Sequence, residues 1–245
     1  MNKQHVIEKD RPYIQSVVGK YGRTYYFRSD EYVGKSVFQY GEFSPEECEY
    51  IVSLAKNRPG ELCLDIGANI GCISQALLDA GCSVEAFEPQ PAVFELLVKN
   101  TPGATCHNIA LGSTAGTAKM PLVDYSKKGN FGGLGIGSGN LEVEVRTLDS
   151  FEYTNVGLIK LDVEGFEEEV LRGAVETIAR CKPIIYLEAD RVEKLTSLAM
   201  FLSSIGYRYS RHEPPLFSKN NYFNNTNMCW DRPYASFNWD CRYIQ

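Results

Sequence analysis

The sequence predicts an α/β fold with a seven-stranded, mostly parallel sheet, helices on both faces and an antiparallel hairpin at the C-terminal end. Short apolar segments typical of buried strands alternate with segments whose apolar residues recur every three to four positions, as in amphipathic helices. After Gly206 this alternation stops, and two strand-like segments follow with no helical period between them. Strands joined by helices pair in parallel through right-handed crossovers, whereas two strands without a crossover helix should pair antiparallel.

The alternation begins at residue 61. "ELCLDIG" (61–67) is predicted to be a buried strand, and the helix after it stops at Gly81. Pro91 opens the next helix, at a position where its missing N–H costs nothing. One continuous helix is predicted after "LIKLDV" (158–163), with acidic residues at 167–169 in its first turn, an order that suits the helix dipole. The other predicted strands are 83–89, 104–111, 183–189, 207–213 and 235–244, and a further helix covers 192–205.

Residues 112–149 interrupt this order. "TAKMPLV" (117–123) and "LEVEVRT" (141–147) are predicted to form a strand pair around an insertion, 124–141, that has six glycines between 129 and 139. Glycine gives the backbone high conformational entropy and few side chains anchor the insertion, so we expect it to be mobile. The sequence is compatible with two roles for the insertion. It would be a lid over substrate that uses Asn130 and Gly132, or a loose hairpin tip.

The N-terminal part is predicted to be an extension, 1–57, ahead of the main domain, 58–245. In "SPEEC", Ser44 is suited to be an N-cap, Pro45 to be the first helical residue and Glu47 to complete a capping box, so a helix is expected over about 45–56. Tyr40 and Glu42, just before this helix, are candidates for closing over a ligand. Residues 1–37 give no usable pattern.

Composition excludes several classes of protein. The formal net charge is −6 with no dense block of Lys and Arg, so nucleic acid is not an expected partner. No apolar run is long enough for a membrane span and the N-terminus lacks the apolar centre of a signal peptide, so the cytoplasm is the expected location. The eight cysteines include no Cys-x-x-Cys pair and are expected to be reduced and buried. A homo-oligomer is compatible with the sequence.

The turn in "LCLDIGANIG" (62–71) joins the first strand to its helix, a geometry that lets a ligand approach the backbone and the free N–H groups of the helix. Nicotinamide enzymes need G-x-G-x-x-G, but Asn69 and Cys72 stand at the second and third glycines. The alternative is D-x-G-x-N-x-G, as found where S-adenosylmethionine binds. It comprises Asp65, Gly67, Asn69 and Gly71, with Ala68 between them. Asp65 and backbone carbonyls of the turn would meet the ammonium of that cofactor, directly or through water.

Glu88 ends the second strand, 21 residues after Gly67, and is placed to accept hydrogen bonds from ribose hydroxyls. An acidic residue there is common to both cofactor classes and does not separate them. Asn108 and Ala110, at the end of the third strand, would flank the adenine. A solvated strand end for Glu88 and turn chemistry for Asn108 are the simpler alternatives.

Four stretches together resemble the FkbM family of S-adenosylmethionine-dependent methyltransferases. They are "LDIGANIG", "FEPQPAVFELLVKN", "TLDSF" and "LIKLDVEGFEEEVLRGA", and the resemblance covers about residue 38 to the C-terminus. It implies a class I, Rossmann-like methyltransferase fold, with which the predicted C-terminal hairpin agrees. For many members it also implies O-methylation of a sugar or another hydroxyl, in natural products and surface glycans.

Methyl transfer to a hydroxyl needs an aligned acceptor and a proton acceptor, and such sheets bind ligands at the carboxyl ends of their strands. Asp162, Glu164, Glu188 and His212 all end predicted strands. We expect His212 or Glu188 to be the proton acceptor, and Asp162 and Glu164 to orient the acceptor or the cofactor. Each residue also has a simpler alternative. Asp162 would cap the helix, and Glu164 would occupy a favourable position in the helix dipole. Glu188 would be a solvated strand end, and His212 would be a turn residue.

No catalytic metal is expected. Metal-dependent enzymes of this kind need an Asp-Asn pair after the next strand, where this chain has Glu188-Ala189-Asp190. The aromatic and amide-rich tail, which includes Asn221, suits a sugar ring but also a structural lid. A protein, lipid or small-metabolite acceptor is the main alternative to a sugar. An inactive binding module is a weaker one, because a dead site has no need of Asp65, Gly67, Asn69, Gly71 and Glu88.

Overall fold

The computed structural model describes residues 5–214 and 238–244. In its first half the elements are β1 Val6–Ile7, β2 Ile14–Gly19, β3 Gly22–Phe27, α1 Val33–Tyr40, α2 Pro45–Lys56, β4 Leu62–Ile66, α3 Cys72–Asp79, β5 Ser83–Phe87, α4 Pro91–Asn100 and β6 Thr105–His107. They continue with β7 Ala110–Leu111, β8 Gly116–Met120, β9 Leu141–Arg146, β10 Val156–Leu161, α5 Glu167–Arg172, α6 Val175–Cys181, β11 Ile184–Glu188, α7 Leu195–Ser204, β12 Tyr207–His212 and β13 Asn238–Tyr243.

The central sheet has seven strands in the order β12-β13-β11-β10-β4-β5-β6. Strands β11, β10, β4, β5 and β6 run parallel, and β13 pairs antiparallel with both β11 and β12. The prediction of a mostly parallel, seven-stranded sheet with an antiparallel C-terminal hairpin is therefore confirmed. Within the described residues, no helix combines the length and the apolar character that crossing a bilayer requires.

Each face of the sheet packs against its own helices, because successive side chains of a strand point to opposite faces. On one face Ile159, Leu161 and Leu187 join the core formed with α5, α6 and α7. On the other face Leu158 and Tyr186 pack against α2 and α3. Every residue of β10 is buried, and one of them is the cation of Lys160. A charge inside a buried strand needs polar partners, and these lie at the candidate site.

The N-terminal residues form an antiparallel sheet, β1-β2-β3, that the sequence analysis did not predict. Ile14 and Phe27 of this sheet pack with Val93 and Leu96 of α4 in one buried cluster. The Arg11 guanidinium adds a two-pronged contact to the Glu95 carboxylate, with N···O distances of 2.6 and 2.5 Å. The N-terminal segment thus lies directly on the helices that flank the main sheet.

Helix α2 has the predicted bounds, but the predicted capping box is wrong. Ser44 has a left-handed backbone, with φ of 44°, and its hydroxyl makes no bond to the backbone N–H groups of the helix. It donates instead to the Glu47 carboxylate at 2.6 Å. The left-handed turn changes the direction of the Ser44 side chain, and Glu47 lines the main cavity of the protein.

The predicted helix after β10 is in fact two helices, α5 and α6, separated at Gly173 and Ala174. A Cβ at Gly173 would lie 2.0 Å from the carbonyl oxygen of Gly112, so this glycine allows two backbones to touch. The Gly173 carbonyl also accepts the N–H of Asp149. These tertiary contacts interrupt a segment that is helical in its local pattern.

The predicted strand 104–111 is also divided. Its first part is β6 of the main sheet, whereas β7 pairs with β9 in a separate sheet, β7-β9-β8. Strands β8 and β9 are the strand pair expected around the glycine-rich insertion. The insertion has packing anchors that the sequence analysis did not expect, because Phe131 is buried against Phe27 and Tyr125.

Candidate active site

A cavity of about 470 Å³ opens at the carboxyl ends of β4, β5, β10 and β11. Its floor is the turn after β4, and the insertion covers it from above. Residues at the start of α1 and α2, including Val33 and Glu47, close one side. The sheet thus brings polar strand ends together where parallel α/β sheets bind their ligands.

The floor turn depends on glycine because of the protein's own packing. Gly67, Asn69 and Gly71 all have positive φ, at 76°, 53° and 89°. A Cβ at Gly67 would lie 1.7 Å from the carbonyl oxygen of Asp162. One at Gly71 would lie 2.8 Å from side-chain carbons of Leu97 in α4 and of Thr101 just after it. The glycines let the turn touch the end of β10 and the surface of α4.

The N–H groups of this turn are used within the protein. Gly67 and Ala68 both donate to the carbonyl of Phe87 at 3.0 Å, and Asn69 donates to the Glu88 carboxylate at 3.1 Å. These three N–H groups of the turn are therefore occupied, whereas the expectation of free N–H groups concerned the N-terminus of the helix that follows. Such a turn is poorly suited to a pyrophosphate, which needs those donors.

Glu88 is buried at the end of β5, where it lines the cavity. One carboxylate oxygen accepts the N–H of Asn69 and the other that of Gln90, at 3.1 and 2.9 Å. Burial raises the pKa of Glu88 to about 7, although these two backbone donors oppose the shift. Each oxygen keeps further lone pairs, so the group can still accept hydrogen bonds from hydroxyl groups of a ligand.

Asp65 is fully buried below the turn and does not line the cavity. Its carboxylate accepts the Ser74 hydroxyl at 2.6 Å and pairs with the Lys160 ammonium at 3.2 Å. Strand register explains the pair, since Asp65 and Lys160 are direct neighbours on β4 and β10. Lys160 also donates to the Gly67 carbonyl at 2.8 Å. The structure thus places Lys160, rather than Asp65, at the cavity wall.

Asp162, Glu164 and Glu188 form a carboxylate cluster at one end of the cavity. Each offers an oxygen, and these three oxygens lie within 4.8 Å of one another. Glu188 Oε2 is buried and accepts no hydrogen bond within residues 5–214 and 238–244. Three like charges this close cannot all be ionised cheaply, so the cluster would hold a proton or a cation. A divalent metal is one cation that could use such oxygens.

The surroundings give the members of the cluster different pKa values. Burial, followed by the neighbouring Asp162 carboxylate, raises the pKa of Glu164 to about 7, while Arg191 acts in the opposite direction. Burial and the charges of Asp162 and Glu164 raise the pKa of Glu188 far above its ordinary range. At neutral pH Glu188 is therefore protonated, whereas Glu164 is close to half ionised. Asp162 does not cap α5, which has no side-chain cap; Glu167 at its start accepts the N–H groups of Val163 and Gly165 in the preceding turn.

Arg191 is a cavity residue that the sequence analysis missed. Its guanidinium donates to the Glu164 carboxylate at 2.5 Å and lies 3.4 Å from Asp190. The side chain is 40% exposed, so it stands at the mouth of the cavity. A cation at this position reduces the repulsion within the carboxylate cluster.

The insertion forms a roof over the floor turn. Asn130 and Gly132, the two predicted lid residues, both line the cavity, together with Leu134 and Ile136. A Cβ at Gly132 would lie 2.7 Å from the side-chain amide nitrogen of Asn69. Gly135 approaches the carbonyl of Glu164 in the same way, at 2.8 Å. The roof glycines thus permit close contact with both the turn and the carboxylate cluster.

Several predicted site residues do not meet at this cavity. His212 lies on the far side of the hairpin, where its ring stacks on Tyr50 at 3.9 Å and its Nδ1 contacts the Tyr186 hydroxyl at 2.9 Å. Asn108 donates its amide to the carbonyls of Glu88 and Pro89, which is turn chemistry. The residues absent from the lining are Asp65, Gly71, Asn108, Tyr40, Glu42 and His212, and Asn221 lies outside the described residues.

Comparison with known proteins assigns the fold and the site to a family. The model of the methyltransferase FkbM domain matches residues 65–209, more than half of the chain. The chain belongs to the FkbM methyltransferase family. The match includes the floor turn, Glu88 and the carboxylate cluster, and S-adenosylmethionine is the cofactor of this methyltransferase.

Individual relatives agree with the family. The 31-O-demethyl-FK506 methyltransferase FkbM of Streptomyces tacrolimicus is 25% identical over 226 residues, covering 76% of this chain and 86% of its own. The crystal structure of methyltransferase FkbM from Methylobacillus flagellatus KT superposes with a TM-score of 0.50 at 19% identity. That match covers 74% of this chain but 43% of the crystallised one, so this FkbM chain spans less than half of that relative's length.

A second solved structure supports the class I fold of this FkbM family member. The magnesium protoporphyrin IX methyltransferase (ChlM) from Synechocystis PCC 6803, solved with bound SAM, has a TM-score of 0.50 at 14% identity. The match covers 87% of this chain and 85% of that one. At this identity the likeness concerns the fold alone.

Proposed function

We propose that this protein transfers the methyl group of S-adenosylmethionine to a hydroxyl oxygen of a sugar or glycoside. The observation that carries the proposal is the carboxylate cluster of Asp162, Glu164 and Glu188 at one end of the cavity. A hydroxyl must lose its proton as it is methylated, so an O-methyltransferase needs a proton acceptor beside the acceptor oxygen. The cluster supplies carboxylates at that end of the cavity.

The cavity suits the cofactor in size and charge. Its volume of about 470 Å³ lies within the ~300–1,000 Å³ of ordinary small-molecule sites. Among the described residues, six acidic and two basic side chains line it. S-adenosylmethionine carries a sulfonium and an ammonium against one carboxylate, and when bound it supplies an electrophilic methyl group. Even with Glu188 protonated, the acidic side chains outnumber the basic ones, which favours this cation, and Glu88 would hold the ribose hydroxyls, with Ala110 beside the adenine.

Glu164 is the best proton acceptor in the cluster. A general base works best when its pKa is near the working pH, and the pKa of Glu164 is about 7. Glu188, protonated at neutral pH, can donate a hydrogen bond to the acceptor but cannot take its proton. Since His212 is held by Tyr50 and Tyr186 outside the cavity, the geometry favours Glu164 over the two residues expected from the sequence.

The mouth of the cavity supports the acceptor class, and one relative supports methylation at oxygen. Asp190 and Arg191 offer charged hydrogen-bond partners there, which suit a polyol better than an apolar ring. The Streptomyces tacrolimicus relative is named as a 31-O-demethyl-FK506 methyltransferase, a name that specifies methylation at an oxygen and mentions no sugar. A non-sugar metabolite hydroxyl is therefore the second candidate.

The test is a methylation assay with purified protein, S-adenosylmethionine and separate panels of glycosides and non-sugar hydroxy metabolites, with products identified by mass spectrometry. O-methylated glycoside, lost with Glu164→Gln while S-adenosylhomocysteine still binds, is the expected result. The assay is repeated with EDTA, because retained activity would exclude a required metal in the cluster. Methylation of non-sugar hydroxyls alone would replace the acceptor class, and methylation of nitrogen or carbon would overturn the reaction.

A further inference from the structure

Helix α2, which precedes the matched family domain, contributes a buried carboxylate to the cofactor cavity. Glu47 is only 7% exposed and lines the cavity wall. Its two oxygens accept hydrogen bonds from the Ser44 hydroxyl at 2.6 Å and from the Asn238 amide at 2.9 Å. These neutral donors orient the carboxylate, and each oxygen retains capacity for another donor.

Glu47 lacks a matching positive charge. Within residues 5–214 and 238–244, no cation lies within 4 Å of its carboxylate. Burying a carboxylate without a direct ion pair is expensive, and burial raises the pKa of Glu47, although the charge of Lys160 acts in the opposite direction. A cationic ligand group in the cavity would remove this cost.

The Lys160 ammonium lies on the same cavity wall and has a donor to spare. One of its N–H groups donates to the Gly67 carbonyl at 2.8 Å, and the Asp65 carboxylate forms an ion pair with the ammonium at 3.2 Å. The Asp162 carboxylate lies 3.7 Å away, which is beyond a hydrogen bond. Burial lowers the pKa of Lys160, but Asp65, Asp162 and Glu47 raise it more, so the group stays charged.

The two charges lie at the end of the cavity opposite Glu88. Strand β4 separates β10 from β5 in the sheet, so Lys160 stands two strand spacings, roughly 9–10 Å, from the strand of Glu88. If Glu88 holds the ribose, the thioether chain of the cofactor leads away from it toward β10. The amino-acid end then arrives between an unpaired carboxylate and an ammonium with a free donor.

We propose that Glu47 and Lys160 bind the zwitterionic amino-acid end of the cofactor, Glu47 accepting from the α-ammonium and Lys160 donating to the α-carboxylate. This assignment rests on the proposed function, in which Glu88 holds the ribose. It gives α2 a direct part in cofactor binding, although α2 lies outside the matched residues 65–209.

The test compares two ligands by calorimetric titration. S-adenosylhomocysteine has the amino-acid end, whereas 5′-methylthioadenosine has only the nucleoside thioether. The nearly isosteric Glu47→Gln should weaken the affinity for S-adenosylhomocysteine about 10- to 100-fold. The affinity for 5′-methylthioadenosine should change by less than about twofold. Glu49→Gln, which removes an exposed charge from the same helix, should change neither affinity.

A second measurement on the wild-type protein avoids any effect of substitution on folding. An analogue of S-adenosylhomocysteine without the α-amino group should bind the wild type and Glu47→Gln with the same, reduced affinity. Neither of these complexes contains the contact between the α-ammonium and the Glu47 carboxylate. Equal weakening of both ligands by Glu47→Gln, or no weakening of either, would overturn the assignment. Failure of the wild type to bind any of the ligands would instead contradict the cofactor site itself.

Discussion

Gly67 lies where the ends of two parallel strands converge, and its conformation and its surroundings both exclude a side chain. Its φ is 76°, and a Cβ would lie 1.7 Å from the Asp162 carbonyl oxygen. Gly60 provides a matched comparison, because its φ is 80° but nothing lies within 4 Å of a Cβ there. The pair separates the cost of a left-handed backbone from the cost of the close approach.

We expect Gly60→Ala to lower the free energy of unfolding by about 1–2 kcal/mol, the usual cost of a left-handed alanine. Gly67→Ala should cost ~3 kcal/mol or more, because β10 must also move away from the turn. Urea denaturation followed by circular dichroism measures both values. Equal costs for the two variants would show that the approach to Asp162 does not limit the turn.

The ionisation of Glu164 should control activity near neutral pH. A general base must be deprotonated, so kcat/KM is expected to fall as the pH drops through the pKa of Glu164, about 7. Because Arg191 lowers this pKa and Asp162 raises it, Arg191→Met should move the acid limb up by about one pH unit and Asp162→Asn should move it down.

The measurement is a pH profile of kcat/KM for the three proteins, with Glu164→Gln as the variant that should lack the limb. Binding of S-adenosylhomocysteine at each pH is the control for loss of cofactor. A limb that stays in place in both variants would mean that another group accepts the proton.

At the scale of elements, the insertion 124–141 shows how a glycine-rich segment can still be held. Phe131 is 3% exposed and makes edge contacts with Phe27 at 5.5 Å and Tyr125 at 4.9 Å between ring centroids. The Gln90 amide also donates to the Phe131 carbonyl at 3.1 Å. The ring of Phe131 thus ties the roof of the cavity to the N-terminal sheet, and its main-chain carbonyl ties the roof to the start of α4.

Phe131→Ala should cost about 3 kcal/mol of stability and weaken S-adenosylhomocysteine binding, because the roof loses its main anchor. Limited proteolysis should show faster cleavage within 124–141. Leu122→Ala is the control, since Leu122 is 68% exposed, and it should change stability by less than about 0.5 kcal/mol. Unchanged cleavage and binding in Phe131→Ala would contradict the anchoring role.

Some helices and strands could be predicted from the sequence and others could not. Strands and helices with a clear period, such as β4, α4 and β11, follow from local sequence alone. The break between α5 and α6 could not be predicted, because it depends on contact between Gly173 and the distant Gly112. The sheet β1-β2-β3 gave no usable pattern, since its apolar residues pack against α4 rather than repeat along a larger sheet.

At the scale of the whole molecule, we propose that the N-terminal segment and the main domain unfold together. Ile14 and Phe27 share a buried apolar cluster with Val93 and Leu96, which surface ion pairs such as Lys99–Glu8 could not replace. Glu47 of α2 also completes the cavity. The chain division predicted at residue 57 would then mark no boundary in stability.

Native-state hydrogen exchange tests this cooperativity. Amides in β2 and β3 are expected to exchange with the same free energy of opening as those in β4 and β10, and to gain the same increment when S-adenosylhomocysteine binds. If β2 and β3 instead exchange several kcal/mol more easily and gain no protection, the N-terminal segment is a separate unit.

The sequence by itself determined the order of the main strands and helices, the parallel sheet with its terminal hairpin, and the family. Those features depend on local periodicity and on contiguous motifs. Only the tertiary structure decided which polar groups share the cavity. Register pairs Lys160 with Asp65 and so buries Asp65, while the hairpin holds His212 away and α2 brings in Glu47. Side-chain direction and burial depend on contacts between distant segments, which no local pattern contains.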